Sequence, residues 1–176
     1  MDQQPGAVHD EQQVLARTVA DVMRTAVAAI AVDETVLVAW ELLERSGCRH
    51  LPVVHPDGRC AGLLDRADVA VACAAPAASL SGRRVDDLLP GHRPALVHAE
   101  QTVRHAADLM TYTETDALPV LDEDGRLAGV LTAADIVAAL ADHPAPKGPA
   151  DIRPQAPPTV LPGPSPRRSY RGTAVP

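Results

Sequence analysis

The sequence is poor in aromatic side chains. It contains no Phe, two Tyr and one Trp among 176 residues. A core must therefore be built from Val, Leu and Ile, and stacking platforms for single-stranded nucleic acid are scarce. No apolar run reaches the length that a membrane span needs, and the polar, acidic start differs from a secretory signal. We therefore expect a cytoplasmic protein that does not enter the membrane.

Cysteine and catalytic motifs are also scarce. The three cysteines, Cys48, Cys60 and Cys73, are separated by 12 and 13 residues, and no CxxC motif occurs. This pattern favours neither a disulfide framework nor a zinc site, so we expect buried, reduced thiols. His98 and His105 are interpreted as surface residues. Because motifs for a nucleophilic serine, a zinc protease or a P-loop are missing, we expect no enzyme, no metal and no required cofactor.

Charge and proline divide the chain near residue 143. Residues 1–142 carry 11 Lys and Arg against 22 Asp and Glu, whereas residues 143–176 carry 5 against 1 and hold 10 of the 17 prolines. A segment of this composition buries too little apolar surface to offset the entropy of ordering. We predict a disordered tail that solubilises the protein. Its arginines offer phosphate contacts, but the acidic body argues against nucleic acid as the main partner.

The strongest feature of the sequence is an internal repeat. Residues 33–73 align with residues 100–140 without a gap, and 16 of the 41 positions are identical. Upstream of each copy, VADVM at 19–23 resembles VDDLL at 85–89. A repeat of this length is typical of a supersecondary unit that is used twice.

Each copy predicts the order strand, helix, strand, strand, helix. Apolar residues at i, i+3, i+4 and i+7, starting at Val36 and at Val103, line one face of a helix. Two short β-rich runs flank an Asp-Gly dipeptide, which is typical of a tight hairpin, and a capping residue with an acidic residue three positions later opens the last helix.

These elements predict an α+β fold of two β-α-β-β-α repeats, packed as a pseudo-twofold pair with a cleft between them. Neither copy is large enough to be stable alone. The predicted divisions are a flexible N-terminus at 1–13, repeat 1 at 14–78, repeat 2 at 79–142 and a disordered Pro/Arg-rich tail at 143–176.

This pattern resembles the CBS domain, the module named after cystathionine β-synthase, in its usual tandem form. The repeated LPV, DG and G-x-x-(T/D)-x-x-D elements carry the resemblance over residues 18–142. The resemblance implies a regulatory module that binds AMP, ADP, ATP or S-adenosylmethionine in the cleft, forms a homodimer and acts on an unidentified partner protein. A ligand-free dimerisation or scaffold module is the alternative.

The resemblance also implies which residues face the ligand. In the family, the motif Asp accepts hydrogen bonds from the ribose hydroxyls and the motif Thr contacts phosphate, which points to Asp135 and Thr132 in repeat 2. Repeat 1 keeps the ribose residue as Asp68 but has Asp65 in place of Thr, and an Asp at a helix N-terminus repels phosphate. We therefore expect a phosphorylated ligand to prefer the second site. The other implied ligand residues are Leu96, Val97, Leu118 and Pro119 for adenine and Arg49, His50 and Arg66 for phosphate.

Overall fold

The computed structural model describes residues 5–74, 82–89 and 94–141, with only the backbone described for residues 5–10. The predicted C-terminal tail lies outside the described residues. In the described part the chain forms two β-α-β-β-α units in an α+β arrangement, as the sequence predicts. No helix among the described residues has the length and apolar character needed to cross a bilayer.

Each repeat contains a three-stranded sheet with the same topology. The first strand is parallel to the second, which is antiparallel to the third. Repeat 1 consists of β1 (Ile30–Ala31), α2 (Val36–Ser46), β2 (His50–Val54), β3 (Cys60–Asp65) and α3 (Arg66–Cys73). Repeat 2 consists of β4 (Val97–His98), α4 (Val103–Thr113), β5 (Ala117–Leu121), β6 (Leu127–Thr132) and α5 (Ala133–Leu140).

Local sequence signals explain where these elements begin and end. Thr35 and Thr102 cap α2 and α4, because each side chain accepts a hydrogen bond from the backbone N–H three residues later. Helix α2 ends at Gly47, whose φ of 64° is in the left-handed region. Gly58 and Gly125 have φ of 85° and 76° in the predicted hairpins. The turn prediction is therefore confirmed at the two Asp-Gly hairpins.

Each repeat completes its core with a segment that precedes the other repeat. A single-turn 3-10 helix, Val19–Asp21, precedes repeat 1 but packs Val19 into the core of repeat 2. Its counterpart, Asp86–Leu88, precedes repeat 2, and the adjacent Val85 packs into the core of repeat 1. Matching backbone hydrogen bonds hold both segments, from Val19 N–H to the Gln101 carbonyl at 2.8 Å and from Val85 N–H to the Glu34 carbonyl at 2.9 Å. Neither core is thus complete without the other repeat's leading segment.

The N-terminus differs from the sequence-based expectation of a flexible segment. Residues Pro5–Ala16 form helix α1, which lies against α4 and α5 of repeat 2. Leu15 packs against the core of that repeat. Helix α1 has little amphipathic pattern of its own, so the tertiary contact with repeat 2, and not the local sequence, accounts for its position.

The two sheets meet through their hairpins and inner strands. Strand β3 contacts β5. The backbones of Arg59 and Arg126 form an antiparallel β-bridge, and the Leu127 N–H donates to the Gly58 carbonyl at 3.2 Å. Because the equivalent hairpins of the two copies contact each other, the pseudo-twofold arrangement leaves a cleft whose walls come from both repeats.

Candidate functional site

A cavity of about 960 Å³ opens between the two repeats. Repeat 1 supplies β3 and the start of α3, and repeat 2 supplies the end of α4, β5 and the start of α5. This volume falls in the range of pockets that enclose small ligands. The acidic and basic residues among the described lining are Arg49, His50, Asp65, Asp68, Glu114 and Asp116.

The charges around the cavity are predominantly negative. Among the lining residues that the structure describes, four carboxylates, from Asp65, Asp68, Glu114 and Asp116, face one guanidinium and one imidazole. An anionic ligand would meet like charge on several sides, whereas a neutral or cationic group would not. The described lining is therefore better matched to a neutral or cationic group than to a polyphosphate.

Two basic residues join the repeats across this cavity. Arg49 lies 3.5 Å from an oxygen of Asp65 in repeat 1 and 3.2 Å from an oxygen of Asp116 in repeat 2. His50 Nε2 lies 3.4 Å and 2.9 Å from the same two carboxylates. Both basic residues thus already have carboxylate partners, which reduces their capacity to neutralise a phosphate.

The nitrogen and oxygen atoms of His50, Asp65 and Asp116 lie within 4.8 Å of one another, a spacing that a metal ion could bridge. The guanidinium of Arg49 contacts both carboxylates of this group. Since Arg49 already supplies a positive charge between the carboxylates, the ion pairs account for the cluster without a metal.

Asp65 caps helix α3, as the sequence predicts. Its side chain accepts a hydrogen bond of 2.6 Å from the Ala67 N–H. Asp68, three residues later, does not close a capping box. Its side chain is exposed on the cavity wall, and within the described part of the chain it has no hydrogen-bond or ion-pair partner. The carboxylate of Asp68 is therefore accessible from the cavity.

The corresponding carboxylate of repeat 2 has a different environment. Asp135 is fully buried and closes a capping box with Thr132, whose hydroxyl lies 2.6 Å from Asp135 Oδ2. Its other oxygen, Oδ1, accepts a hydrogen bond of 2.7 Å from Nε of Arg24. The structure places neither Thr132 nor Asp135 on the cavity wall.

The remaining predicted ligand residues divide between the cavity and its surroundings. Pro119 lines the cavity. Val97 and Leu118 are fully buried in the core of repeat 2, and Leu96 is half-buried beside the lining residue Ala95. Arg66 lies outside the cavity lining: it pairs with Glu44 and stacks over the Trp40 ring at 5.5 Å. The structure thus brings Arg49, His50, Asp65, Asp68 and Pro119 together.

Sequence reasoning missed two residues that shape this site. Asp116, which takes the repeat 2 position that matches Arg49, received no predicted role, although its carboxylate contacts both Arg49 and His50 of repeat 1. Arg24 received no predicted role, because it lies in the segment before β1 of repeat 1 yet contacts Asp135 of repeat 2. The available signal was the position of Arg24 directly after the VADVM segment, where the second copy has Pro90.

The three cysteines lie in repeat 1 and are free. They are half-buried, so the structure supports unpaired thiols with somewhat more exposure than we expected. Burial raises the pKa of the Cys60 thiol, which therefore stays protonated at neutral pH. A protonated, half-buried thiol is a poor nucleophile.

The sequence model of the CBS domain family matches this chain twice, at residues 19–75 and 85–142. A CBS domain-containing protein of Dictyostelium discoideum is 30% identical over 127 residues, which cover 68% of this chain and 88% of that protein. Homoserine O-acetyltransferase of Methanosarcina acetivorans is 29% identical over 122 residues, or 68% of this chain. The chain spans only about a fifth of that enzyme, 21% of its length.

Solved structures with the same architecture include CBSX2 in complex with AMP. It is 29% identical, with a TM-score of 0.61, and the match covers 71% of this chain and 96% of that one. A CBS domain pair solved with 5′-methylthioadenosine and S-adenosylmethionine has a TM-score of 0.63 at 21% identity, covering 72% and 98% of the two chains. At that identity the second match supports the fold alone.

Proposed function

The chain belongs to the CBS domain family, and on that premise we propose that it senses an adenosine-containing compound and regulates a partner protein in trans. The candidate compounds are AMP, ADP, ATP and S-adenosylmethionine. The solved relative CBSX2 was crystallised with AMP. The protein acts in the cytoplasm in this proposal, and the identity of the partner is left open.

The observation that carries the proposal is the free carboxylate of Asp68 on the wall of the cavity. A carboxylate can accept hydrogen bonds from both hydroxyls of a ribose, and Asp68 has no competing partner among the described residues. The cavity beside it has room for a nucleoside. Ala61, Leu63 and Pro119 supply apolar surface that an adenine ring can cover.

The regulatory step requires two arrangements of the repeats that differ in ligand affinity. Arg49 and His50 contact carboxylates of both repeats at the cavity, so a ligand that enters there meets the groups that hold the repeats together. In our proposal a bound ligand changes these contacts and thereby the relative position of the repeats. The chain itself performs no catalysis, and the acetyltransferase relatives share only the matched fifth of their length.

A thermal-shift and calorimetric screen with adenosine, AMP, ATP and S-adenosylmethionine tests this proposal. We expect at least one compound to raise the melting temperature of the wild type, since a ligand at 100 times its Kd stabilises by about 2.7 kcal/mol. Asp68→Asn should remove the shift. Asp108→Asn, an exposed residue of α4 outside the cavity, serves as the matched control and should retain it. The proposal fails if none of the four compounds produces a shift or heat.

A ligand-free dimerisation module is the second candidate, because several apolar side chains are exposed on helices. Val71 on α3 and Val137 on α5 lie on equivalent helices of the two repeats, with 75% and 63% of their surfaces exposed. Leu37 and Val38 on α2 and Leu140 on α5 are exposed as well. A second copy of the chain would cover such surfaces. If Val71→Asp dissociates a homodimer while no adenosine compound binds, this candidate is favoured.

A further inference from the structure

The segment that leads into repeat 1 packs against repeat 2, beside the N-terminus of helix α5. Val19 and Val22 are buried in the core of repeat 2. The Val19 and Ala20 N–H groups donate to the carbonyls of Gln101 and Ala99, at 2.8 and 2.9 Å. These contacts fix the direction in which the chain leaves the 3-10 helix, and Arg24 follows directly.

The backbone of Arg24 adds to the edge of the repeat 2 sheet. Its N–H donates to the Val130 carbonyl at 2.9 Å, and its carbonyl accepts from the Val130 N–H at 3.0 Å. Gly129, beside Val130, is in contact with the Arg24 carbonyl so closely that a Cβ atom would overlap it. The space beside Gly129, the glycine of the repeat 2 motif, is therefore filled by the backbone of Arg24.

The side chain of Arg24 occupies the free side of the Asp135 carboxylate. Its Nε donates to Oδ1 of Asp135, and the carboxylate is fully buried whereas 31% of the arginine side chain is exposed. Oδ2 of Asp135 accepts from the hydroxyl and the N–H of Thr132, at 2.6 and 3.0 Å. Both oxygens that a ribose would need are thus already hydrogen-bonded within the chain.

Repeat 1 has no equivalent of this arrangement in its sequence. The residue that follows VDDLL, at the position matching Arg24, is Pro90. Proline has no N–H for a two-way backbone bridge and no cation for a carboxylate. Pro90 lies outside the described residues, but its chemistry excludes both contacts that Arg24 makes, and Asp68 is exposed on the cavity.

We propose that Arg24 is a built-in occupant of the second ligand position, so that the chain takes one adenosine-containing ligand, at Asp68. This inference rests on the proposed function. The guanidinium takes the hydrogen bonds that a ribose would otherwise make to Asp135, and the Arg24 backbone covers Gly129. Arg24 therefore decides which of the two repeated motifs is accessible to a ligand.

Isothermal titration of the full chain with adenosine tests the proposal, because adenosine is the part that all candidate ligands share. The wild type should bind one adenosine per chain, and Asp68→Ala should bind none. Arg24→Ala should bind two, and the double variant Arg24→Ala/Asp135→Ala should return to one. Arg24→Lys keeps a cation near Asp135 and is the matched control, with one adenosine expected.

Two results would overturn the inference: a folded Arg24→Ala variant that still binds one adenosine, or a wild type that binds two. The proposed function can fail separately. If the wild type binds no adenosine and Arg24→Ala binds one, the site at Asp68 is wrong, whereas the role of Arg24 at Asp135 is supported. If neither protein binds adenosine, both proposals are wrong.

Hydrogen exchange of the wild type provides a test that does not depend on folding of the Arg24→Ala variant. With saturating adenosine, the amides of Arg24 and Val130 should keep their protection, because the ligand binds at Asp68 and leaves the bridge intact. Faster exchange of these two amides on adding adenosine would mean that the ligand displaces Arg24, which contradicts the proposal.

Discussion

The two copies of the G-x-x-(T/D)-x-x-D motif place the same residue in opposite environments. Asp68 in repeat 1 is exposed on a cavity and free of polar contacts in the described part of the chain. Asp135 in repeat 2 is fully buried and bonded to Arg24 and Thr132. The difference arises both from the segment that covers each motif and from the motif itself, since Thr132 closes a capping box with Asp135 whereas repeat 1 has Asp65 at that position. A repeated sequence therefore does not guarantee a repeated site.

The largest expected difference between the copies is in stability. Asp135→Ala removes the partner of a cation and one half of a capping box, whereas Asp68→Ala removes a side chain that has no polar partner among the described residues. We expect Asp135→Ala to lower the free energy of unfolding by about 2–3 kcal/mol, less than a fully buried pair because Arg24 is partly solvated. Asp68→Ala should stay within about 0.5 kcal/mol of the wild type. Urea unfolding measures both values.

A double-mutant cycle of Arg24→Ala and Asp135→Ala separates the ion pair from the capping contribution. The two single losses should exceed the loss in the double variant by at least about 1 kcal/mol, because the residues contact each other. Additive losses, or equal effects of Asp135→Ala and Asp68→Ala, would mean that the burial of Asp135 is not what distinguishes the repeats.

The next largest difference concerns the glycines of the two motifs. A Cβ at position 129 would meet the backbone carbonyl of Arg24, a residue whose N–H and carbonyl are both hydrogen-bonded to Val130. A Cβ at position 62 would meet a methyl group of Leu89 at 2.8 Å, and a side chain can rotate away. We expect Gly129→Ala to cost about 2 kcal/mol and Gly62→Ala less than about 1 kcal/mol.

Thermal unfolding checks this ordering, with Gly82→Ala as the control because no atom of the described residues lies within 4 Å of its added methyl group. Gly82→Ala should leave the melting temperature close to that of the wild type. If Gly62→Ala proves as costly as Gly129→Ala, the Arg24 bridge does not make the second motif more tightly packed than the first.

Much of the fold could be predicted because its signals are local. The capping residues Asp65 and Thr132, the hairpin glycines and the apolar face that begins at Val36 depend on neighbours within a few positions. The repeat then extends each assignment to the second copy. Periodicity and turn chemistry are sufficient for these elements.

The site could be predicted only in part, because its decisive contacts join distant positions. Arg24 and Asp135 are 111 residues apart, and His50 and Asp116 are 66 apart. The alignment of the copies identified Asp68 and Asp135 as equivalent, but it contains no information about which leading segment covers which motif. That assignment follows from the exchange of the two 3-10 helices between the cores, which only the tertiary structure shows.

The smallest expected effect concerns ligand charge at the open site. Asp65 places a carboxylate at the N-terminus of α3, where repeat 2 has Thr132, and it also pairs with Arg49. Asp65→Thr keeps a capping oxygen, removes one negative charge and leaves Arg49 with one carboxylate partner fewer. We expect ATP affinity to rise about five-fold, or about 1 kcal/mol, while adenosine affinity changes little because adenosine carries no phosphate.

Titration with each compound measures the ratio of the two affinities. Asp108→Asn, which makes the same change in net charge outside the cavity, should not alter this ratio. An equal gain for adenosine and ATP would show that Asp65 acts on the shape of the cavity, whereas a gain confined to ATP assigns its role to charge.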